Sequence, residues 1–177
     1  MNSGGEIWMY ASLAGLFLLI LLLAFILVIM LRGAPYMPSQ GKTVRQMVAM
    51  AGVLPGERAI DLGSGDGRVV IALARAGAEA HGYEINPLLV WLGRREIRRA
   101  GLGDRAFIHW KDFWSVDFST FDVVTVFGIS HIMRVLGRKC RKELKGGARV
   151  VANSFPFPKW PRAKRVGEVY LYEQRKI

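Results

Sequence analysis

The sequence predicts an α/β fold, a Rossmann-like doubly wound and mostly parallel sheet, preceded by one transmembrane helix. Three observations carry this expectation. Residues 7–31, "IWMYASLAGLFLLILLLAFILVIML", run without a charge. From residue 58 onward, short apolar runs of strand length alternate with longer segments of helical periodicity. The glycine-rich "DLGSGDG", 61–67, closes the first such run and opens the first such helix, which is where α/β sheets hold their ligands.

As a helix, about 25 apolar residues cross a hydrocarbon core of roughly 30 Å with some tilt. A cleaved signal peptide is the nearest alternative, but it needs a basic start, a shorter apolar stretch and a small-residue cleavage site. Here Glu6 is the one charged side chain before the run, whereas Arg32, Lys42 and Arg45 follow it closely. The positive-inside rule then places residues 1–6 outside and the remainder on the cytoplasmic side, or the matrix side in a mitochondrion. Trp8 and Tyr10 stand where interfacial aromatics gather. All 25 Lys and Arg lie beyond the span, so the rest of the chain exceeds the overall formal charge of +11 by one. Such a surface, tethered at a bilayer, attracts anionic headgroups at about 1 kcal/mol per nearby cation. Nucleic acid would feel the same charge, but the anchor makes it the weaker expectation.

After the span, "RGAPYMPSQG" is a Pro/Gly loop, and "KTVRQMVAMAGV" spaces Val44, Met47, Val48 and Ala51 as one helix face. Residues 32–57 are therefore expected to form a connecting loop and helix that close the site, and 58–177 the main domain. Within it "RAIDL" is a strand, "GRVVIALARAG" a helix, "AEAHGYEI" a strand, and "NPLLVWLGRREIRRAG" a helix capped by Asn86 with Pro87 in its first turn. "AFIHW" and "FDVVTVF" are the third and fourth strands, "SHIMRVLGRKCRKELKGG" a helix and "ARVVANSF" a fifth strand. The tail "KRVGEVYLYEQRKI" supplies one or two further strands, most simply antiparallel near an edge. Right-handed crossovers between the parallel strands give the doubly wound sheet.

A single cysteine, Cys140, excludes an internal disulfide and a Cys-rich zinc site. His81, His109 and His131 show no metal-ligand spacing, so a metal-free chemistry is expected. The glycines read G-x-G-x-G, not the G-x-G-x-x-G of a dinucleotide site, and Asp61 and Asp66 flank them. Two carboxylates repel a pyrophosphate but suit a ligand with a cationic amine and no phosphate. S-adenosylmethionine has that form. Glu84, at the end of the second strand, can accept from two ribose hydroxyls, and Asp112 in "KDFW" from an adenine amino group, with Phe113 as apolar cover. Phe127 and Gly128 face the same edge from the fourth strand. His131 is read as structural or helix-capping, and no general base is assigned.

These segments, "DLGSGDGR", "GYEINP", "DFW", "FG" and "FPFP", resemble the class I S-adenosylmethionine-dependent methyltransferases. More narrowly, with "PYMPS" before them, they are similar to the membrane-anchored protein-lysine methyltransferases that modify the adenine nucleotide translocase and the c-ring protein of ATP synthase. The likeness covers residues 32–174. It implies that Asp61, Gly63 and Gly65 hold the aminoacyl end of the cofactor, Glu84 the ribose, and Asp112 with Phe113 the adenine. Ser64, Gly67, Ile85 and Phe127 complete the expected cofactor-binding set. Tyr36 and Pro38 in "PYMPS" and Phe155, Pro156 and Phe157 in "FPFP" are expected along the acceptor channel, with Trp160 beyond them. Leu88 departs from the family, which commonly has Trp there, and a bacterial or archaeal relative with another lysine target fits as well. The implied activity is methyl transfer to a protein lysine, with a membrane-embedded substrate expected. A phospholipid-headgroup N-methyltransferase and a nonenzymatic tethered module are the alternatives.

Overall fold

The structure, a computed structural model, describes residues 3–32 and 41–175, with side chains at 7–25 and 41–175. It divides into two units, 1–35 and 36–177.

The first unit is one helix, α1, Ser3–Arg32. Its stretch Ile7–Phe25 is long and apolar enough to cross a membrane, with none of its surface buried. A signal sequence has the same length and composition.

The second unit is a seven-stranded sheet with the order β3-β2-β1-β4-β5-β7-β6. The strands are β1 (Arg58–Leu62), β2 (Glu79–Glu84), β3 (Ala106–Trp110), β4 (Val123–Phe127), β5 (Arg149–Asn153), β6 (Lys164–Val166) and β7 (Val169–Glu173). β1 to β5 are parallel, and the tail forms the two antiparallel strands expected, with β7 beside β5 and β6 at the edge. The chain order reverses between β1 and β4, so the switch point of the sheet lies there.

Alternation along the central strands sends successive side chains to opposite faces. Ala59, Val123 and Val151 enter one core, with α2 (Gly41–Ala51), α3 (Arg68–Arg75) and α4 (Pro87–Arg99) above them. Ile60, Val124 and Val150 enter the other, under α5 (Ser130–Glu143). The helix α2 buries Val44, Met47, Met50 and Ala51 against the first core, so it is part of the sheet's cover. Between β3 and β4 the second face receives only a 3-10 turn, Phe113–Ser115. His81, Tyr83, Phe107 and His109 therefore remain half-exposed there, with His81 stacked on Phe107 and Tyr83 on His109.

Candidate functional site

The carboxyl ends of β1, β2, β3, β4 and β5 form one edge, and the sequence-predicted residues that are described lie along it. Asp61, 5% exposed, stands on β1 opposite Thr125 of β4. Thr125 Oγ1 donates to Asp61 Oδ1 at 2.7 Å. Burial pushes the Asp61 carboxyl up to about 7; the Thr125 hydrogen bond opposes this, and the charges of Glu84 and Asp66 add to it. A buried acid poised near neutrality is strongly favoured in its ionised form once a cation lies beside it.

The loop after β1 turns through positive φ at Gly63 (76°), Gly65 (54°) and Gly67 (81°), which side chains resist. Gly63 N and Ser64 N both donate to the Tyr83 carbonyl, anchoring the loop on β2. Ser64 Oγ is buried without a hydrogen-bond partner among the described residues, and it lies where a Cβ on Gly82 would intrude at 2.5 Å. Gly67 caps α3, and a Cβ there would stand 2.7 Å from Ile108 Cδ1 and 3.4 Å from Gly93 Cα. The loop and α4 thus meet at two glycines. Asp66 is not an open partner for an amine as its position implied: Arg68 forks onto its carboxylate, with Nη2 at 2.5 Å and Nε at 2.9 Å.

Glu84, 9% exposed, ties two segments together. Its Oε2 accepts from Gly65 N at 3.0 Å and its Oε1 from Asn86 N at 2.8 Å. A carboxylate has about four acceptor sites, so both oxygens keep capacity for hydroxyl donors. Asn86 caps α4 through Leu88 N, with Pro87 following, as the sequence indicates. The Ile85 carbonyl accepts from Trp110 Nε1 at 3.0 Å. Asp112 caps the 3-10 turn by accepting from Trp114 N, and Phe113 is buried in the second core, 4.9 Å from the Trp114 ring.

On the acceptor side, Phe127 and Phe155 meet edge to face with centroids 6.3 Å apart. Buried Asn153 pairs in register with Phe127. Phe155 N donates to the Asn153 carbonyl at 2.9 Å, closing a three-residue turn around Ser154, which is held at φ 68°. A non-glycine residue in that region is strained, by about 1–3 kcal/mol. Pro156 is exposed beside this turn. Phe157 and Trp160 differ from the expectation of a channel wall. They are 4% and 8% exposed, packed with Tyr172, whose hydroxyl accepts from Phe157 N at 3.0 Å. His131 is exposed in the first turn of α5, and the capping residue, Ile129, makes no side-chain cap bond. Tyr36 and Pro38 lie outside the described residues.

Thr125, Gly93 and Ser154 were not anticipated. Thr125 is the one polar residue in "VVTVF", a signal available in the sequence. Gly93 and Ser154 carry no such mark, since a helical glycine and a loop serine are both ordinary.

The donor set fits S-adenosylmethionine: a buried carboxylate near neutrality for an ammonium, a glycine cradle beside it, and a strand-end glutamate with unspent acceptor sites for a ribose. The fold and this edge define the class I S-adenosylmethionine-dependent methyltransferases. A sequence model of the ANTKMT methyltransferase domain matches residues 61–164, and the chain belongs to that family. It is 42% identical over 134 residues to the Mus musculus lysine N-methyltransferase named for the C-type subunit of ATP synthase, a match covering 76% of this chain and 54% of that one. The chain thus spans little more than half the length of that relative. It is 38% identical over 128 residues to a protein-lysine N-methyltransferase of Saccharolobus islandicus, covering 71% of this chain and 80% of the relative. Among solved structures, an RNA methyltransferase from Salinibacter ruber in complex with S-adenosylhomocysteine superposes with a TM-score of 0.76 at 30% identity. That match covers 80% of this chain and 95% of the other. The cofactor is common to these proteins, while the acceptors they are named for differ.

Proposed function

We propose that this chain methylates a lysine side chain of a protein embedded in a membrane, and that residues 7–31 tether it to the same bilayer. The observation that carries the lysine reading is the aromatic wall of Phe127 and Phe155 at the ends of β4 and β5, beside the acidic cofactor edge. A lysine amine must be neutral to attack, against an ordinary pKa near 10.4, and desolvation by an apolar wall lowers that cost. The two relatives named as lysine methyltransferases support the same acceptor.

When bound, S-adenosylmethionine supplies an electrophilic methyl group on a sulfonium. The protein's part is alignment and water exclusion. Ionised Asp61 would hold the ammonium, with Thr125 fixing the carboxylate's orientation. Glu84 would hold the ribose while keeping the glycine loop in place through Gly65 N. The strained turn at Ser154 aims Phe155 at Phe127. An apolar helix on the same chain raises the effective concentration of partners in its bilayer.

The test is incubation of the purified chain with methyl-labelled S-adenosylmethionine and cell membranes, followed by separation of protein, lipid and RNA. Label in a discrete protein band supports the proposal. Label confined to lipid would replace it with headgroup methylation, and label confined to RNA with the activity named for the Salinibacter protein.

A further inference from the structure

The outer stripe of α4 and the end of β3 carry a surface that the methyl-transfer site does not use. Leu88, Trp91, Arg95 and Arg98 recur at helical spacing on the side of α4 opposite its buried Val90, Gly93 and Ile97. Beside them stands Trp110 at the end of β3, the edge strand of the sheet. Leu88 is 68% exposed, Trp91 56% and Trp110 66%. Soluble surfaces expose such side chains singly; a contiguous group marks an interaction site.

The group has an ordered layout. Its apolar members lie at the start of α4, and its guanidinium groups in the later turns. Trp91, Trp110, Arg94 and Arg98 line an open groove of about 270 Å³, floored by Pro87 and Val90. Arg95 lies 5.6 Å from the Trp91 ring centroid, and Arg94 Nε donates to the Ile108 carbonyl at 2.9 Å. Trp110 is pinned by its bond to the Ile85 carbonyl, next to Glu84.

We propose that this face docks on an anionic phospholipid surface, with Leu88, Trp91 and Trp110 entering the headgroup layer and Arg95 and Arg98 meeting lipid phosphates. Exposed tryptophan and leucine rimmed by arginine are the composition of an interfacial membrane contact, since indole rings favour the headgroup level and guanidinium groups pair with phosphate. The apolar stretch Ile7–Phe25 on the same chain has membrane-crossing length, which favours a bilayer over nucleic acid as the occupant. Because Trp110 and Ile85 adjoin Glu84, docking holds the cofactor edge close to the headgroups, where a lysine at the boundary of a membrane protein is within reach. That last consequence rests on the proposed function; the docking surface itself does not.

The test uses the full chain in lipid nanodiscs, with Leu88→Cys carrying an environment-sensitive NBD label. Cys140 is buried and its thiol is pushed up to about 12, so labelling is confined to the new cysteine. Ser119→Cys, exposed in the loop before β4, is the control position. In discs containing phosphatidylglycerol, the label at 88 shifts to the blue and is quenched by doxyl lipid, while in phosphatidylcholine discs and at 119 it stays aqueous. Arg95→Gln with Arg98→Gln lowers the docked-to-undocked ratio about tenfold or more. Unchanged S-adenosylhomocysteine affinity in that variant shows the domain is folded. An aqueous label in anionic discs that retain the chain overturns the proposal, as does a shift elicited by single-stranded RNA and not by lipid. Methylation of lysine is read separately: its loss with the label still docked would count against the proposed function alone.

Discussion

Thr125 Oγ1 lies 2.7 Å from Asp61 Oδ1 across the β1–β4 pair, at the switch point of the sheet. The bond stabilises the ionised carboxylate, whose pKa of about 7 is set mainly by burial. Thr125→Val removes a charge-assisted hydrogen bond of about 1.5–3 kcal/mol and drives the Asp61 pKa higher. Calorimetric titration with S-adenosylhomocysteine at pH 7 is expected to show affinity at least about tenfold weaker. The loss should shrink as the pH is raised.

The same carboxyl sets the sign of the pH dependence of stability. Its folded-state pKa is raised from 3.8 to about 7, so its contribution is full below the unfolded value and is lost as pH rises through the folded one. Ligand-free protein should therefore lose about 1.4 kcal/mol from this group for each pH unit between roughly 4 and 7. Thermal melts across that range, compared with Asp61→Asn, check this. Asp61→Asn should flatten the slope, and saturating S-adenosylhomocysteine should reverse part of it, because the bound ammonium favours the ionised form.

Glu84 has a double role, and two substitutions separate its parts. Glu84→Ala leaves Gly65 N and Asn86 N without their acceptor, which costs about 1–3 kcal/mol of stability for a buried group in addition to the affinity lost at the ribose. Glu84→Gln keeps one acceptor oxygen. It is expected to melt closer to wild type yet bind S-adenosylhomocysteine more weakly, as denaturant titration and calorimetry together would show.

Phe155 and Phe157 stand two residues apart and are expected to behave differently. Phe157→Ala empties a core position under α5 and should destabilise the domain by about 3–5 kcal/mol. Phe155→Ala, at the half-exposed Phe127 contact, should chiefly raise KM for the acceptor. Ser154→Gly relieves the positive φ, so stability should hold or rise by about 1 kcal/mol, while the looser Phe155 again raises KM.

The sheet was legible because its signals are local and agree with one another. "RAIDL" and "AFIHW" are β1 and β3 residue for residue, and Asn86-Pro87 starts α4 where capping chemistry places it. Asp61 and Glu84 were legible because strand ends are where such folds hold ligands. Partnerships between segments were not. Nothing near Asp66 in sequence distinguishes an acid for a ligand from one forked by Arg68, and "FPFP" does not tell which phenylalanine faces inward. Gly93 is needed because α4 crosses the glycine loop at backbone distance, a relation that exists only after folding.

The central claim, methyl transfer to a protein lysine, is tested most directly by hydrolysing the labelled protein from the membrane incubation and identifying the methylated residue. The account predicts Nε-methyllysine, present with the wild-type chain and absent with Asp61→Ala. Label on any other residue, or methyllysine formed equally by Asp61→Ala, would contradict it.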